Sequence, residues 1–495
     1  MADAAAQHTA EEPQSDGSKL KTFLSILRNR SQLPFLTTRG FIRGTANDNG
    51  PKRRFIGVAD LASVRFSLPS QLLEPTPNLE YWNYLDAPNT FIAIGTSDEP
   101  LDRMLEVLRF WFTKDLKYAK GRPCKPYNSC LGEFFRCNWE AEDNAPRIDT
   151  NKLGPKRDSK PGSGASSIKS GKLAVPAGLG SGDSKAASTV SVAQTGTDPT
   201  KPKVRVSYLT EQTSHHPPVS AFYISCPERG LHARGFDQIT AKFTGTSIKV
   251  MPGEHNLGIF ITVEKRGHET YQLTHPAAHL GGILRGALSV SVGDMAFITC
   301  PETKLKAILH YYDDGWLGRS TNKVEGIIFR YDPDNDDKSR IRDVPEEDIL
   351  VRLGGVWKDK VVFTLGPKPI DSHPPEEQIT IIDIGPLSVA PKSLPPKDKQ
   401  LENESLRLWG GVTEAILAKQ FSRATTVKQE LEERQREKAR HREQTGEVWK
   451  PVFFEQVTGN GGKPELSAKG KAVLEKAQRA EWDMRDILGD VKASS

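Results

Sequence analysis

The sequence predicts a mostly β protein with helical additions: a large antiparallel β-barrel around an interior cavity. Three observations carry this expectation. From Val204 to about Asp383, runs rich in β-branched and aromatic residues, such as AKFTGTSIKV, LGIFITVEK, LKAILHYY, VEGIIFRY and KVVFTL, recur every ~10–20 residues, with Gly, Pro, Asn and Asp between them. No helical pattern separates successive runs, so neighbouring strands pair as an antiparallel meander and not through βαβ crossovers. Closure removes the exposed edges of so many strands, and a barrel of that size leaves space inside.

Composition narrows the class. The 495 residues are 36% hydrophobic, low for a fully compact chain, so some segments are expected not to fold. Net charge is +5, from 68 basic and 63 acidic residues, which does not by itself indicate a nucleic-acid binder. No run of about 18 apolar residues is present, so no helix is expected to span a membrane. The N-terminal MADAAAQHTAEEPQ has neither a basic nor an apolar signal region. Five cysteines without a CxxC pair fit reduced thiols in the cytosol, and argue against a disulfide framework or a structural zinc site.

Along the chain, residues 1–17 read as a disordered tail. Residues 18–50 form an entry segment containing SKLKTFLSILRNR, where Leu20, Phe23, Leu24 and Leu27 repeat at i, i+3, i+4, i+7 behind Ser18 as cap. Such a basic amphipathic helix suits a membrane surface or the cover of an apolar opening, and equally an ordinary surface helix. Residues 51–455 form the β-rich domain. A core helix is expected at DEPLDRMLEVLRFWF, with Asp98 as cap and Leu101, Met104, Leu105, Leu108 and Phe112 on one face. About 148–203 is Gly/Ser/Ala/Lys-rich and reads as a flexible insertion, with a domain boundary as the alternative. After PLSVAPKSLPPKDKQ the chain turns helical, with a highly charged helix ending near Gly446. Residues 456–495 form a tail with one short helix.

Three stretches can carry chemistry. EQTSHHPP places His215 and His216 before Pro217 and Pro218, which favour extended geometry and make a stiff strand-to-strand junction. Adjacent histidines on an extended segment point to opposite faces, so joint metal binding is disfavoured, and one core and one exposed histidine is the plain alternative. No HExxH, GxSxG, Walker loop or GxGxxG supports hydrolysis or nucleotide binding. On the charged helix, Lys428, Glu432 and Arg436 at i, i+4, i+8 form one stripe of phosphate donors around a carboxylate. A solvated ion-pair ladder has the same spacing. In CKPYNSCLGEFFRCNWE, Lys125 and Asn128 lie on a turn that can present an ammonium and an amide to one anion.

Together the three stretches resemble the oxysterol-binding protein family, the lipid-transfer proteins of membrane contact sites. EQTSHHPP is similar to the family's EQxSHHPP signature, KPYNSCLGE to its KPxNPxLGE segment and KQELEERQR to its KxxLEExQR helix, in the same order. The resemblance runs from about Phe23 to Phe454 and identifies a short, single-domain, fungal-type member. It implies a near-complete antiparallel β-barrel enclosing a lipid tunnel, with C-terminal helices and an N-terminal lid, here carried by Leu20, Phe23, Leu24 and Leu27. It also implies a phosphatidylinositol 4-phosphate headgroup held by Lys125, Asn128, His215, His216, Lys428, Glu432 and Arg436. A second lipid, sterol or phosphatidylserine, shares the tunnel, and exchange between bilayers moves one against the other. The implied protein is no enzyme, holds no metal or cofactor and meets membranes transiently from the cytoplasm. A lipid-responsive sensor or scaffold that binds the same lipids is the alternative. Ser129 stands where the family usually has proline, and Thr213 where valine is common.

Overall fold

The computed structural model describes residues 74–120, 126–153, 202–243, 248–281, 289–312, 322–455 and 460–488. The amphipathic segment with Leu20, Phe23, Leu24 and Leu27, residue Lys125 and most of the 148–203 stretch lie outside them. That stretch begins within the described structure: Ile148 is buried, its carbonyl accepts from Ser97 Oγ (2.9 Å), and Thr150 N–H donates to Asp102 (3.1 Å).

Fifteen strands follow in chain order: β1 (Phe134–Glu142), β2 (Lys203–His215), β3 (Pro218–Cys226), β4 (Leu231–Asp237), β5 (Ile239–Phe243), β6 (Ile248–Pro252), β7 (Ile259–Val263), β8 (Glu269–Leu273), β9 (Ala277–Gly281), β10 (Ser289–Cys300), β11 (Leu305–Tyr311), β12 (Lys323–Arg330), β13 (Ile349–Val356), β14 (Lys360–Leu365) and β15 (Ile379–Asp383). They form one antiparallel sheet along β1-β2-β3-β4-β7-β8-β10-β11-β12-β13-β14-β15, with β5, β6 and β9 as a side branch on the first half of β10. The expected meander is therefore present, and most neighbours in space are neighbours in sequence.

Closure into a barrel is not seen among the described residues. The path ends at β1 and β15, which do not pair with each other. The chain leaving β15 instead returns along the free edge of β1. Asn138 and Ser393 exchange two backbone hydrogen bonds (3.0 and 2.8 Å), and Phe134 N–H donates to Asn403 O (3.1 Å). An irregular segment thus satisfies the β1 edge that strand pairing would otherwise have to close.

The helix predicted from DEPLDRMLEVLRFWF spans Pro100–Thr113 and is buried on nearly every side, including Asp102, Arg103, Glu106 and Arg109. Its Leu105, Leu108 and Phe112 share one core with Ile298, Leu309, Val351, Phe363 and Ile381 of the strands, so it packs against the apolar face of the sheet. Asp98 is not its cap. Pro100 opens the helix without needing a partner for an N–H, and Asp98 instead binds Arg266 (2.8 Å). Arg103 is paired with Glu269, Glu106 accepts from the hydroxyls of Thr96 and Ser97, and Arg109 Nη1 donates to the Pro146 carbonyl (2.6 Å).

On the other face, Leu209, Val219, Ala221 and Phe236 of β2–β4 pack against Phe453, Phe454, Leu466, Val473, Leu474 and Met484. The Ala468–Gln478 helix is thereby held on the sheet, and Asn138 Nδ2 donates to its Ala477 carbonyl (2.7 Å). A third cluster joins the loop at Tyr127–Cys130 to the Gly410–Leu417 and Phe421–Thr445 helices. Among the described residues no helix is long and apolar enough to cross a membrane.

Candidate functional site

β2 and β3 form a hairpin whose last pair is His215–Pro218, so His216 and Pro217 are its turn; their peptide bond is cis. Both histidines are exposed, with ring centroids 4.6 Å apart and planes at 58°. The expectation that they face opposite sides does not hold. Alternation applies within a strand, and His216 has already left β2. No group of three metal-ligating side chains is present among the described residues. Thr213 lies at a register irregularity in β2, buried, with its hydroxyl 3.3 Å from Val219 O.

The 126–133 loop abuts this hairpin. Gly132 N–H donates to Gln212 O (3.0 Å) and Gln212 N–H to Glu133 O (2.8 Å), which extends the β1–β2 pairing towards the histidines. Gly132 has φ +76°, and a Cβ there would lie 3.3 Å from the Trp449 indole, so both backbone and space call for glycine. Asn128 is exposed at the outer turn, while Ser129 and Cys130 are buried. With serine in place of the family's usual proline, the loop is held by contacts on either side of Ser129. The Tyr127 ring stacks on Trp409 (centroids 4.7 Å, 26°), and its hydroxyl lies 3.0 Å from that of Thr413.

The Phe421–Thr445 helix closes the arrangement. Ala424, Lys428 and Leu431 are its buried residues, spaced i, i+4, i+7 along one face. Lys428 therefore lies on the packed stripe, 6% exposed, with its ammonium 2.9 Å from Glu432. Glu432 also lies 3.6 Å from Arg436, whose half-exposed guanidinium bonds Glu433 more closely (2.7 Å). Burial pushes the Cys130 thiol well up, and the carboxylates of Glu133 and Glu432 add to the effect. The loop and the Lys428–Glu432 pair are thus neighbours. Of the six expected headgroup residues described, Asn128, His215 and His216 sit on the linked loop and hairpin. Lys428 and Glu432 sit on the helix face against that loop, and Arg436 stands further out.

Two residues missed by the sequence reasoning hold this assembly. Glu133, 1% exposed, accepts from Cys130 N–H (2.9 Å), Trp409 Nε1 (3.0 Å) and Ser405 Oγ (2.6 Å), and so ties loop, strand and helices together. Glu211, 0% exposed, accepts the N–H groups of Val452 and Phe453 (both 2.8 Å). Burial raises each carboxyl to about 7, against the lowering effect of its hydrogen bonds. A signal existed: each is a glutamate inside a quoted motif, at or next to an apolar strand.

The side branch supplies an apolar surface. By register, Ile239, Ala241, Val250, Ala278 and Val290 share one face, and Lys242, Lys249, His279 and Ser291 the other. Val292, on the apolar face, packs against the main core, so this face continues the sheet's core side. It is only partly covered, with Ile239 48% exposed.

A family model described as oxysterol-binding protein matches residues 53–487. The chain belongs to the oxysterol-binding protein family. This is a family of lipid-binding and lipid-transfer proteins rather than enzymes. Among relatives, oxysterol-binding protein-like protein 1 of Schizosaccharomyces pombe is 40% identical over 474 residues, covering 87% of this chain and 90% of that one. Human oxysterol-binding protein-related protein 11 is 30% identical over 394 residues, covering 79% of this chain but 46% of its own length. The fold resembles the Osh1 ORD domain solved with ergosterol (TM-score 0.58, 17% identity, 94% of this chain and 98% of that one). It also resembles the Osh3 ORD of Saccharomyces cerevisiae solved with PI(4)P (TM-score 0.53, 16% identity, 96% of each chain).

Proposed function

We propose that this oxysterol-binding protein family member extracts phosphatidylinositol 4-phosphate and a second lipid, sterol or phosphatidylserine, from membranes and exchanges them between bilayers from the cytoplasmic side. The observation that carries this is the linkage of hairpin, loop and charged helix, with Lys428 drawn onto the packed face of its helix. The headgroup phosphates are held by Lys125, Asn128, His215, His216, Lys428, Glu432 and Arg436. A dianionic phosphate favours the protonated, double-donor imidazole, and the hairpin turn leaves little side-chain and backbone freedom to lose on binding. The partly covered face of Ile239, Ala241, Val250, Ala278 and Val290 receives apolar chains. The segment with Leu20, Phe23, Leu24 and Leu27 covers them. PI(4)P and ergosterol in the related Osh3 and Osh1 domains support both lipid classes.

The test is extraction from liposomes containing phosphatidylinositol 4-phosphate, ergosterol and phosphatidylserine, followed by assay of protein-bound lipid. Wild type is expected to remove the phosphoinositide and a second lipid, and the His215→Ala/His216→Ala variant to lose the first. Phosphoinositide bound without transfer between vesicle populations would replace exchange by the sensor or scaffold reading. No bound lipid at all would overturn both.

A further inference from the structure

The turn after the charged helix presents apolar side chains from a backbone held at both ends. The Phe421–Thr445 helix ends at Gly446 (φ 70°), and Glu447 N–H donates back to Arg442 O (3.1 Å). Trp449 then packs over Gly132, in the loop beside the histidine hairpin. Three residues later Glu211 takes the N–H groups of Val452 and Phe453, and Ser467 Oγ donates to Val452 O (2.6 Å). Between these anchors Val448 is 79% exposed, the largest exposure among the large hydrophobics described, and Val452 is 38% exposed. A lone exposed valine needs no explanation. This one stands on a turn braced by hydrogen bonds on both sides, next to the partly buried Trp449 and the exposed Lys450.

Charge points to the occupant. Residues 433–450 carry six Lys or Arg against four Glu, Glu433 holding Arg436 and Arg440, so the stretch that leads into the turn keeps a modest basic excess. A modestly basic stretch leading to a projecting aliphatic side chain complements an anionic bilayer, where the cations meet headgroups and the valine enters the boundary with the acyl chains. Tryptophan favours the same boundary.

We propose that the Gly446–Val452 turn is a membrane anchor, with Val448 as its inserting residue, that seats the rim beside His215 and His216 on an anionic bilayer surface. This deepens the exchange reading and rests on it for the purpose of docking. Insertion itself is measurable whether or not lipid is extracted.

Val448→Cys, made on a Cys124→Ser background and labelled with an environment-sensitive nitrobenzoxadiazole dye, is mixed with vesicles of phosphatidylcholine alone or with about 20–30 mol% phosphatidylserine. The other four cysteines are buried. A blue shift and brightening with the anionic vesicles is expected, and an unchanged spectrum overturns the proposal. Separately, Val448→Asp should weaken co-sedimentation with those vesicles roughly tenfold, by removing the apolar contact and adding a repelled charge. Binding of dioctanoyl phosphatidylinositol 4-phosphate, which needs no bilayer, should be unchanged. Wild-type co-sedimentation by Val448→Asp also overturns the anchor. Loss of short-chain binding in the wild type itself would instead strike the exchange reading, while the dye at position 448 still decides insertion.

Discussion

Lys428 and Arg436 stand two turns apart on one helix, yet their surroundings differ. Lys428 is nearly buried against the 126–133 loop and pairs with Glu432, whereas Arg436 is half exposed and shared between two glutamates. Desolvated charge interacts more strongly, so headgroup affinity should depend more on the lysine. Lys428→Ala is expected to weaken binding of short-chain phosphatidylinositol 4-phosphate by about 10–100-fold, the worth of a charge-assisted hydrogen bond, and Arg436→Ala by less. Calorimetric titration of both variants checks the order, and equal losses would put Arg436 as deep in the site as Lys428. Glu211 makes a different prediction. Its folded pKa of about 7 lies above the ordinary carboxyl value of 4.5, so the native state retains a proton that the unfolded chain releases. Its contribution is therefore greatest at low pH and falls as pH rises from about 4.5 to 7. Glu211→Gln carries no such titration. Its Tm relative to wild type should rise between pH 5 and 7, and parallel melting curves would refute the assignment.

The loop that carries Asn128 is an element only because other elements hold it. Glu133 bonds it to the helices, Tyr127 stacks on Trp409, and Gly132 continues the β1–β2 ladder under Trp449. Gly132→Ala puts a Cβ at positive φ and 3.3 Å from the indole, so it should cost about 1–2 kcal/mol and loosen the segment after the helix. Denaturant unfolding measures the first effect, and hydrogen exchange at Val452 and Phe453 the second. Unchanged exchange would separate Trp449 from the Glu211 clamp. At this scale the meander and the long charged helix with its Gly446 end were legible in the sequence, through local alternation and capping chemistry. The split of ESLRLWGGVTEAILAKQF into Ser405–Leu408 and Gly410–Leu417 was not, because both halves carry the same helical pattern.

Across the whole molecule, the sheet is packed on both faces. The Pro100–Thr113 helix packs on one, and the chain beyond Phe453 on the other. Removing residues 456–495 strips Leu466, Val473, Leu474 and Met484 from Leu209, Val219, Ala221 and Phe236. Four buried apolar side chains contribute roughly 6–12 kcal/mol, comparable to the stability of an entire domain. The truncated chain is expected to be insoluble or to lose its cooperative melting transition, and a soluble product with the wild-type Tm would show that the segment is dispensable.

The sequence by itself determined the family, the strand meander and the three stretches offered as a headgroup site. Each rests on short-range information: residue alternation along a strand, spacing along a helix, and a motif a few residues long. Only the tertiary structure decided that His215 and His216 sit side by side where β2 enters its turn, and that Lys428 is drawn inward while Arg436 stays out. It also placed Glu133 and Glu211 as the joints between segments, and set the chain after β15 against the β1 edge. Burial and pairing depend on residues far apart in the chain, and a carboxylate inside a motif reads the same whether it meets a ligand or a backbone N–H group.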